Sequence, residues 1–433
     1  MKFLFCAPPA AGHFNPTVPV AKRLMDCGHE VVFCSGRRME KVVRALGFRF
    51  VGNDPDGPDR ELEEELLRRI AAAPSPRNLR RLPDIILPRL PHIARHLLGV
   101  VESESPDAAL VDVLSFGPLL AVEKTGIPWA SSSMFPGLLS HPQYPPFIGR
   151  GLPAMPTRRN LLRWRAIRVI GGWAARPLRR RINALRGRLG LPLIEPGGPP
   201  IGLSPFLYLS YTIPELEYGR SDWPPQVHLV GASLWDAGEM AESPSWLAEV
   251  ASDGQPLVYA TLGTVHGPKG RRFVETVVKA LQGLPLRAVI TTGDTGWADD
   301  TACPPNIRLT GYLSQSHVLP HASATINHGG FSTNLGALWH GVPSVVIPLF
   351  GDHFENAQRY AEAGVAIRLR LGTTGPGLLR KTLQRVLEDE AIRANTSRIQ
   401  ARLKASGGPG LAADLLIRLA ATRQPVLREE SKP

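Results

Sequence analysis

Two series of short apolar runs alternating with helical patterns, one ahead of residue 231 and one after residue 257, leave this chain few architectures. Lys2–Cys6, His29–Ser35 and Phe48–Gly52 have strand length. Between them, Val18, Ala21, Leu24 and Met25 recur at helical spacing, and Met39–Leu46 reads as a second helix. Alternation of this kind builds parallel sheets with right-handed crossovers. Leu257–Thr261 opens a second series in the same order of strand, glycine-bearing loop and helix. The expected fold class is α/β, with two Rossmann-like doubly wound parallel-sheet domains facing across a cleft. Ligands of such sheets lie beyond the carboxyl ends of the strands. With 433 residues the chain can form two cores. The expected division is an acceptor-side domain over 1–231, a linker over 232–256, where Asp, Glu, Ser, Pro and Gly surround Trp235 and Trp246, a second domain over 257–410, and a C-terminal helix or tail over 411–433 that crosses back to the first domain.

An apolar content of 43 % and a charged content of 20 % suit a soluble globular protein. No apolar run approaches bilayer length, and Met1–Ala7 reads as a first strand rather than a signal peptide. Cys6, Cys27, Cys34 and Cys303 show no paired or metal-ligand spacing, which fits reduced thiols and a cytoplasmic protein. Asp54-Pro55-Asp56 has the form of a metal-binding Asp-x-Asp, but it sits in a Pro/Gly/Asp-rich loop and reads as a solvated turn. No metal site is expected.

The net charge of +12 is concentrated. Arg158–Arg188 holds eleven arginines and no acidic residue, interleaved with Leu161, Leu162, Trp164, Ile167, Val169, Ile170 and Trp173. Three readings stand: a solvated arginine-rich helix pair, peripheral contact with an anionic membrane surface, and nucleic-acid binding. No recognised nucleic-acid module accompanies the segment, so no nucleic-acid partner is expected.

The richest stretch is Tyr312–Gly364. Ala322–Asn327 reads as a buried strand, and Gly329-Gly330 allows a sharp turn. Ser332 and Thr333 then begin a helix with Leu335, Leu338 and Trp339 on one side. A helix start presents unpaired N–H groups and a positive dipole end, so hydroxyls and the His328 imidazole beside it form a candidate anion cradle. In the first half, His13 follows the first strand and Asp112 ends another. A histidine oriented by a carboxylate can take a proton from a hydroxyl. The Ser133–Pro156 stretch, with Phe135, Tyr144 and Phe147, is a long aperiodic loop of the kind that carries function.

Tyr312 and Gln315, His328 to Thr333, Gly341-Val342-Pro343, and Asp352-His353 with Asn356 together resemble the donor-binding signature of the family 1 glycosyltransferases, nucleotide-sugar-dependent enzymes of the GT-B fold. Gly12-His13-x-x-Pro16 resembles the family's amino-terminal motif. The resemblance implies an inverting, metal-independent transferase with no tightly bound cofactor and a UDP- or dTDP-sugar as co-substrate. It implies His13 as base with Asp112 as its partner. On the donor side it implies Tyr312 stacked on the pyrimidine, the Leu313 backbone on the base and Gln315 on the ribose. His328, Gly330, Phe331, Ser332 and Thr333, with Gly263 and Thr264, would hold the phosphates, and Asp352 and His353 would contact the sugar.

The acceptor, a hydroxylated apolar small molecule such as a polyketide, macrolide, enediyne or flavonoid, would lie against Phe14, Phe135, Tyr144, Phe147 and the Asn78–His92 segment. The chain is expected as a monomer or homodimer. Two departures from the family pattern stand out. Gly336 occupies a position where many members have a ribose-bridging glutamate, which favours a deoxyribose donor, and His353 replaces a glutamine. The alternatives are a lipid or terpenoid glycosyltransferase working at the membrane surface and a non-catalytic partner that has kept the fold. The second should have lost His13 or His328, and both are present.

Overall fold

The computed structural model describes residues 1–54, 87–134, 137, 139, 141–147, 151–220, 222–263, 269–293 and 303–429. The first sheet comprises β1 (Lys2–Cys6), β2 (Glu30–Ser35), β3 (Arg49–Gly52), β4 (Ala108–Asp112), β5 (Trp129–Ser133), β6 (Leu207–Ser210) and β7 (Val227–Leu229). Its order is β3-β2-β1-β4-β5-β6-β7, with parallel pairing between neighbours. The second comprises β8 (Leu257–Thr261), β9 (Arg287–Thr291), β10 (Ile307–Thr310), β11 (Ala322–Asn327), β12 (Ser344–Val346) and β13 (Ala366–Arg368), in the order β10-β9-β8-β11-β12-β13 and again parallel. Both sheets are doubly wound. The strand order reverses between β1 and β4 in one and between β8 and β11 in the other, and those two points are where such sheets place ligands.

Strands covered on both faces read as unbroken apolar runs. In β1, Phe3 and Phe5 enter one core while Leu4 and Cys6 enter the other. Val31 and Phe33 of β2 alternate in the same way with Val32 and Cys34. The helix Leu90–Glu104, with Pro91 in its first turn, packs on Phe116–Thr125 to cover the second face. The first face is covered by the helix Thr17–Asp26 and, from the far end of the chain, by Gly408–Thr422, whose Ala412, Leu416 and Leu419 are buried beside Val20 and Leu24. His228 Nε2 lies 2.9 Å from the Val426 carbonyl, which fastens the tail to β7.

The segment 232–256 is docked rather than loose. Trp235 is buried in the first core and Leu247 in a cluster of the second domain. The Ser233 hydroxyl donates to the Pro16 carbonyl at 2.6 Å, and Asp236 accepts from the Ser316 backbone N–H at 2.9 Å. An apolar cluster joins the halves, with Ile213, Leu216 and Ala232 against Phe331, Leu335 and Tyr360. Beside it, Arg359 pairs with Glu217 and the Tyr218 hydroxyl donates to Glu355.

Candidate functional site

Each reversal point carries one of the two histidines singled out in the sequence. His13, expected in a loop, sits in a one-turn helix, Ala11–Phe14, directly beyond β1. Asp112 is the last residue of β4, the neighbouring strand, and is buried. His13 Nδ1 lies 3.0 Å from Asp112 Oδ2, while the Leu114 backbone N–H donates to Asp112 Oδ1 at 2.9 Å. A carboxylate only accepts, so the proton of the neutral imidazole belongs on Nδ1 and the lone pair on Nε2. Burial works against the protonated imidazole, but the Asp112 charge and hydrogen bond outweigh it. Asp352 adds to them, and the His13 pKa is raised above 6.5.

In the second domain the reversal point lies between β8 and β11, and it brings Gly263 against His328. A Cβ on Gly263 would lie 2.6 Å from His328 Cε1, and one on Gly330 would lie 2.5 Å from Nε2, so the ring occupies a slot that only glycines leave open. Gly263 has φ +69°, and its N–H donates to Thr261 Oγ1 at 3.0 Å. Gly329 has φ +91°, the left-handed region that glycine enters without penalty. The turn is pinned from below: Asn327 Oδ1 accepts from the Gly329 N–H at 2.8 Å, and Asn327 Nδ2 donates to Asn334 Oδ1 at 3.0 Å.

The helix Phe331–Trp339 starts after Gly330 with no side chain capping it. The Ser332 Oγ is buried without a partner among the described residues. An uncapped helix start with an unsatisfied hydroxyl is suited to an anion. Thr333 Oγ1 accepts from Gln315 Nε2 at 3.0 Å, so this glutamine, expected at a ribose, rests against the same helix start. A Cβ on Gly336 would meet Gln315 Oε1 at 3.4 Å and Leu319 Cδ1 at 3.1 Å, which makes this face of the helix too close to Gln315 for a longer side chain without movement.

Asn356 fastens the next segment to the turn, donating to the Gly329 carbonyl at 3.0 Å and to Asp352 Oδ2 at 2.8 Å. Burial raises the Asp352 pKa. The Asn356 hydrogen bond, the local backbone, His13 and His328 pull it back in part. His353 is buried, its ring 4.6 Å from that of His328 and 4.3 Å from that of Phe350. Burial holds its pKa down at about 3, so this ring is neutral. His13 and Asp352, which belong to different domains, each shift the other's pKa in the direction that favours the charged form.

Other candidates fall elsewhere. Tyr312 is 53 % exposed, whereas Leu313 is buried in an apolar cluster. Phe331 is a core residue of the interdomain cluster. Phe14 needs correction as an acceptor contact. It is fully buried between β1 and β2, 5.3 Å from the Phe33 ring, because the residue after His13 on a helical turn points into the core. Tyr144 stacks on Tyr218 at 5.8 Å and donates to the Gly219 carbonyl at 2.5 Å, and Phe147 packs on the interdomain cluster. Thr264, Phe135 and residues 78–86 of the expected acceptor segment lie outside the described residues.

Sequence reasoning gave no role to Asn327, Asn334 or Glu355. An asparagine closing a strand just ahead of a glycine pair was the available signal for the first. Glu355 had none for its contact with Tyr218, which lies 137 residues away on the other domain.

Residues 275–419 match the family model described as erythromycin biosynthesis protein CIII-like, C-terminal domain. The chain is 30 % identical to 4'-demethylrebeccamycin synthase of Lentzea aerocolonigenes, over 96 % of this chain and 98 % of that protein. It is 28 % identical to O-mycaminosyltylonolide 6-deoxyallosyltransferase of Streptomyces fradiae, over 95 % and 96 % respectively. Among solved structures, the glycotransferase of kitacinnamycin superposes with a TM-score of 0.74 at 22 % identity, covering 96 % of this chain and 98 % of that one.

Proposed function

The chain belongs to the family 1 glycosyltransferases of GT-B fold, and from that premise we propose that it moves a sugar from a dTDP- or UDP-sugar to a hydroxyl of an apolar natural product, inverting the anomeric carbon. The observation that carries this reading is the His13–Asp112 pair at 3.0 Å at one reversal point, together with the uncapped helix start and the partnerless Ser332 hydroxyl, among the described residues, at the other.

The acceptor hydroxyl lies at His13 Nε2. As its oxygen forms a bond to the anomeric carbon, the proton passes to Nε2, and Asp112 stabilises the imidazolium through Nδ1–H. The bond from the anomeric carbon to the diphosphate oxygen breaks on the opposite face. The departing charge is met by the open start of the helix Phe331–Trp339, the Ser332 hydroxyl and His328. Tyr312 offers the pyrimidine a stacking face. Asp352 and the neutral His353 lie next to the cradle, where the donor's sugar would project. Gly336 leaves no carboxylate for ribose hydroxyls on its helix face, which supports a deoxyribose donor. One relative named above, O-mycaminosyltylonolide 6-deoxyallosyltransferase, is by its name a sugar transferase, which supports sugar transfer here.

The test is a panel of dTDP- and UDP-sugars scored by thermal shift, followed by incubation with hydroxylated polyketide and macrolide acceptors. Product is read as acceptor mass plus one sugar, matched by nucleoside diphosphate release. Stabilisation by dTDP-sugars and a mass gain with inverted linkage are expected. A chain that no nucleotide sugar stabilises, and that yields no product, contradicts the proposal.

A further inference from the structure

The helix Arg158–Ala174 has two apolar faces, and among the described residues only one packs against the rest of the fold. Its inner face buries Trp164, with Leu161 and Ile167 half-buried beside it. Arg168, on the same side, donates to the Pro142 carbonyl at 3.1 Å and to the carbonyls of His141 and Tyr144. The helix thereby holds the loop that runs to Phe147 at the domain junction.

The outer face carries Leu162, Val169, Ile170 and Trp173, which are 65–69 % exposed. At helical periodicity these four fall within an arc of about 100°. Exposed arginines flank the stripe, Arg158 and Arg165 along one edge and Arg163 along the other, with Arg159 inside the arc at its first turn. A single exposed leucine needs no explanation, but four large apolar side chains in line do.

The charge of the surroundings selects what covers this face. Residues 158–188 hold eleven arginines and no acid, in a chain whose net charge is +12. A second copy docking through the same stripe would set arginine rows against arginine rows with no carboxylate in the segment to relieve them. An apolar stripe edged by guanidinium groups instead matches a surface whose interior is hydrocarbon and whose rim is phosphate. Among the described residues no helix is long and apolar enough to cross a membrane, so the contact is peripheral.

We propose that the outer face of Arg158–Ala174 docks on an anionic lipid surface, with Leu162, Val169, Ile170 and Trp173 entering the acyl boundary and the bordering arginines meeting headgroup phosphates. Arg168 places the acceptor-side loop on the inner face of that same helix.

The test uses the full chain and vesicles of phosphatidylcholine, with or without about one-third phosphatidylglycerol. Two variants accompany it: Arg158→Ser with Arg159→Ser, Arg163→Ser and Arg165→Ser, and separately Ile170→Ser with Trp173→Ser. All these side chains are exposed, and an unchanged melting temperature checks folding. The native chain should sediment with anionic vesicles at least about tenfold more strongly than with neutral ones, and each variant should lose about tenfold or more of that binding. Equal binding to both vesicle types, no binding to either, or variants that bind like the native chain would overturn the proposal. So would a native dimer that the Ile170→Ser, Trp173→Ser variant converts to monomer, since a second copy would then cover the stripe.

Discussion

His13 Nδ1 and Asp112 Oδ2 meet at 3.0 Å although 99 residues separate them, because β1 and β4 are neighbours at the point where the first sheet reverses direction. The pair therefore holds one imidazole tautomer at the carboxyl edge of the sheet, with the lone pair left on Nε2.

Replacing that carboxylate should change the pH profile as well as the rate. With Asp112 present the His13 pKa is raised, so kcat/KM should climb as pH rises through a value above 6.5. In Asp112→Asn the charge and its hydrogen bond to the imidazolium are lost while burial still disfavours the cation. The apparent pKa should therefore fall, and turnover should drop by about 10²–10⁴ because the tautomer is no longer held. A rate profile with the native midpoint would contradict this role.

Ser332→Ala separates stability from binding. The native hydroxyl is buried without a partner among the described residues, so its removal should leave the melting temperature of the free protein unchanged or slightly higher. Affinity for dTDP or UDP should weaken by about 1.5–3 kcal/mol, the usual contribution of a hydrogen bond to a charged group. Calorimetric titration with the nucleoside diphosphate, and with the bare nucleoside as control, reads the difference.

Gly330→Ala tests the slot around His328. Gly330 has φ −60°, which alanine adopts freely, so the substitution acts through its Cβ, placed 2.5 Å from His328 Nε2. The ring must move, and diphosphate affinity should fall about tenfold or more while nucleoside affinity holds. Retained diphosphate affinity would remove His328 from the cradle.

The junction of the domains carries its own pH dependence. Burial raises the Glu355 pKa to about 7, and Arg359 and the Tyr218 hydrogen bond lower it only in part. The folded state thus binds more protons at this site than the unfolded chain, whose carboxyl titrates near 4.5. The associated stability is full below that value and is lost as pH rises through 7, by on the order of 3 kcal/mol at most. Glu355→Gln should flatten this part of the decline in denaturation midpoint between about pH 5 and 8. A native and a variant curve of equal slope would contradict it.

Much of this arrangement was readable from the chain because it is local. The apolar runs of β1, β4, β8 and β11 reveal parallel strands buried on both faces. A histidine or glycine immediately after such a run must lie at the carboxyl edge. What escaped notice is non-local or turns on a single angle. Phe14 follows His13, yet one helical step turns it into the core. The Glu217–Arg359 and Tyr218–Glu355 contacts join residues about 140 apart on different domains, with no spacing pattern to announce them. The 232–256 segment has the composition of a linker, but Trp235 and Leu247 are buried and anchor it to one domain each. The arginine-rich segment shows its helices in its periodicity, while the division of apolar residues between inner and outer faces depends on what the rest of the fold buries.

The most direct measurement is turnover and donor affinity side by side in His13→Ala. Loss of the base should cut kcat by about 10²–10⁴ while the dissociation constant for dTDP or UDP stays within about twofold of native. Turnover close to native with intact donor binding would contradict a cleft in which this imidazole takes the acceptor's proton.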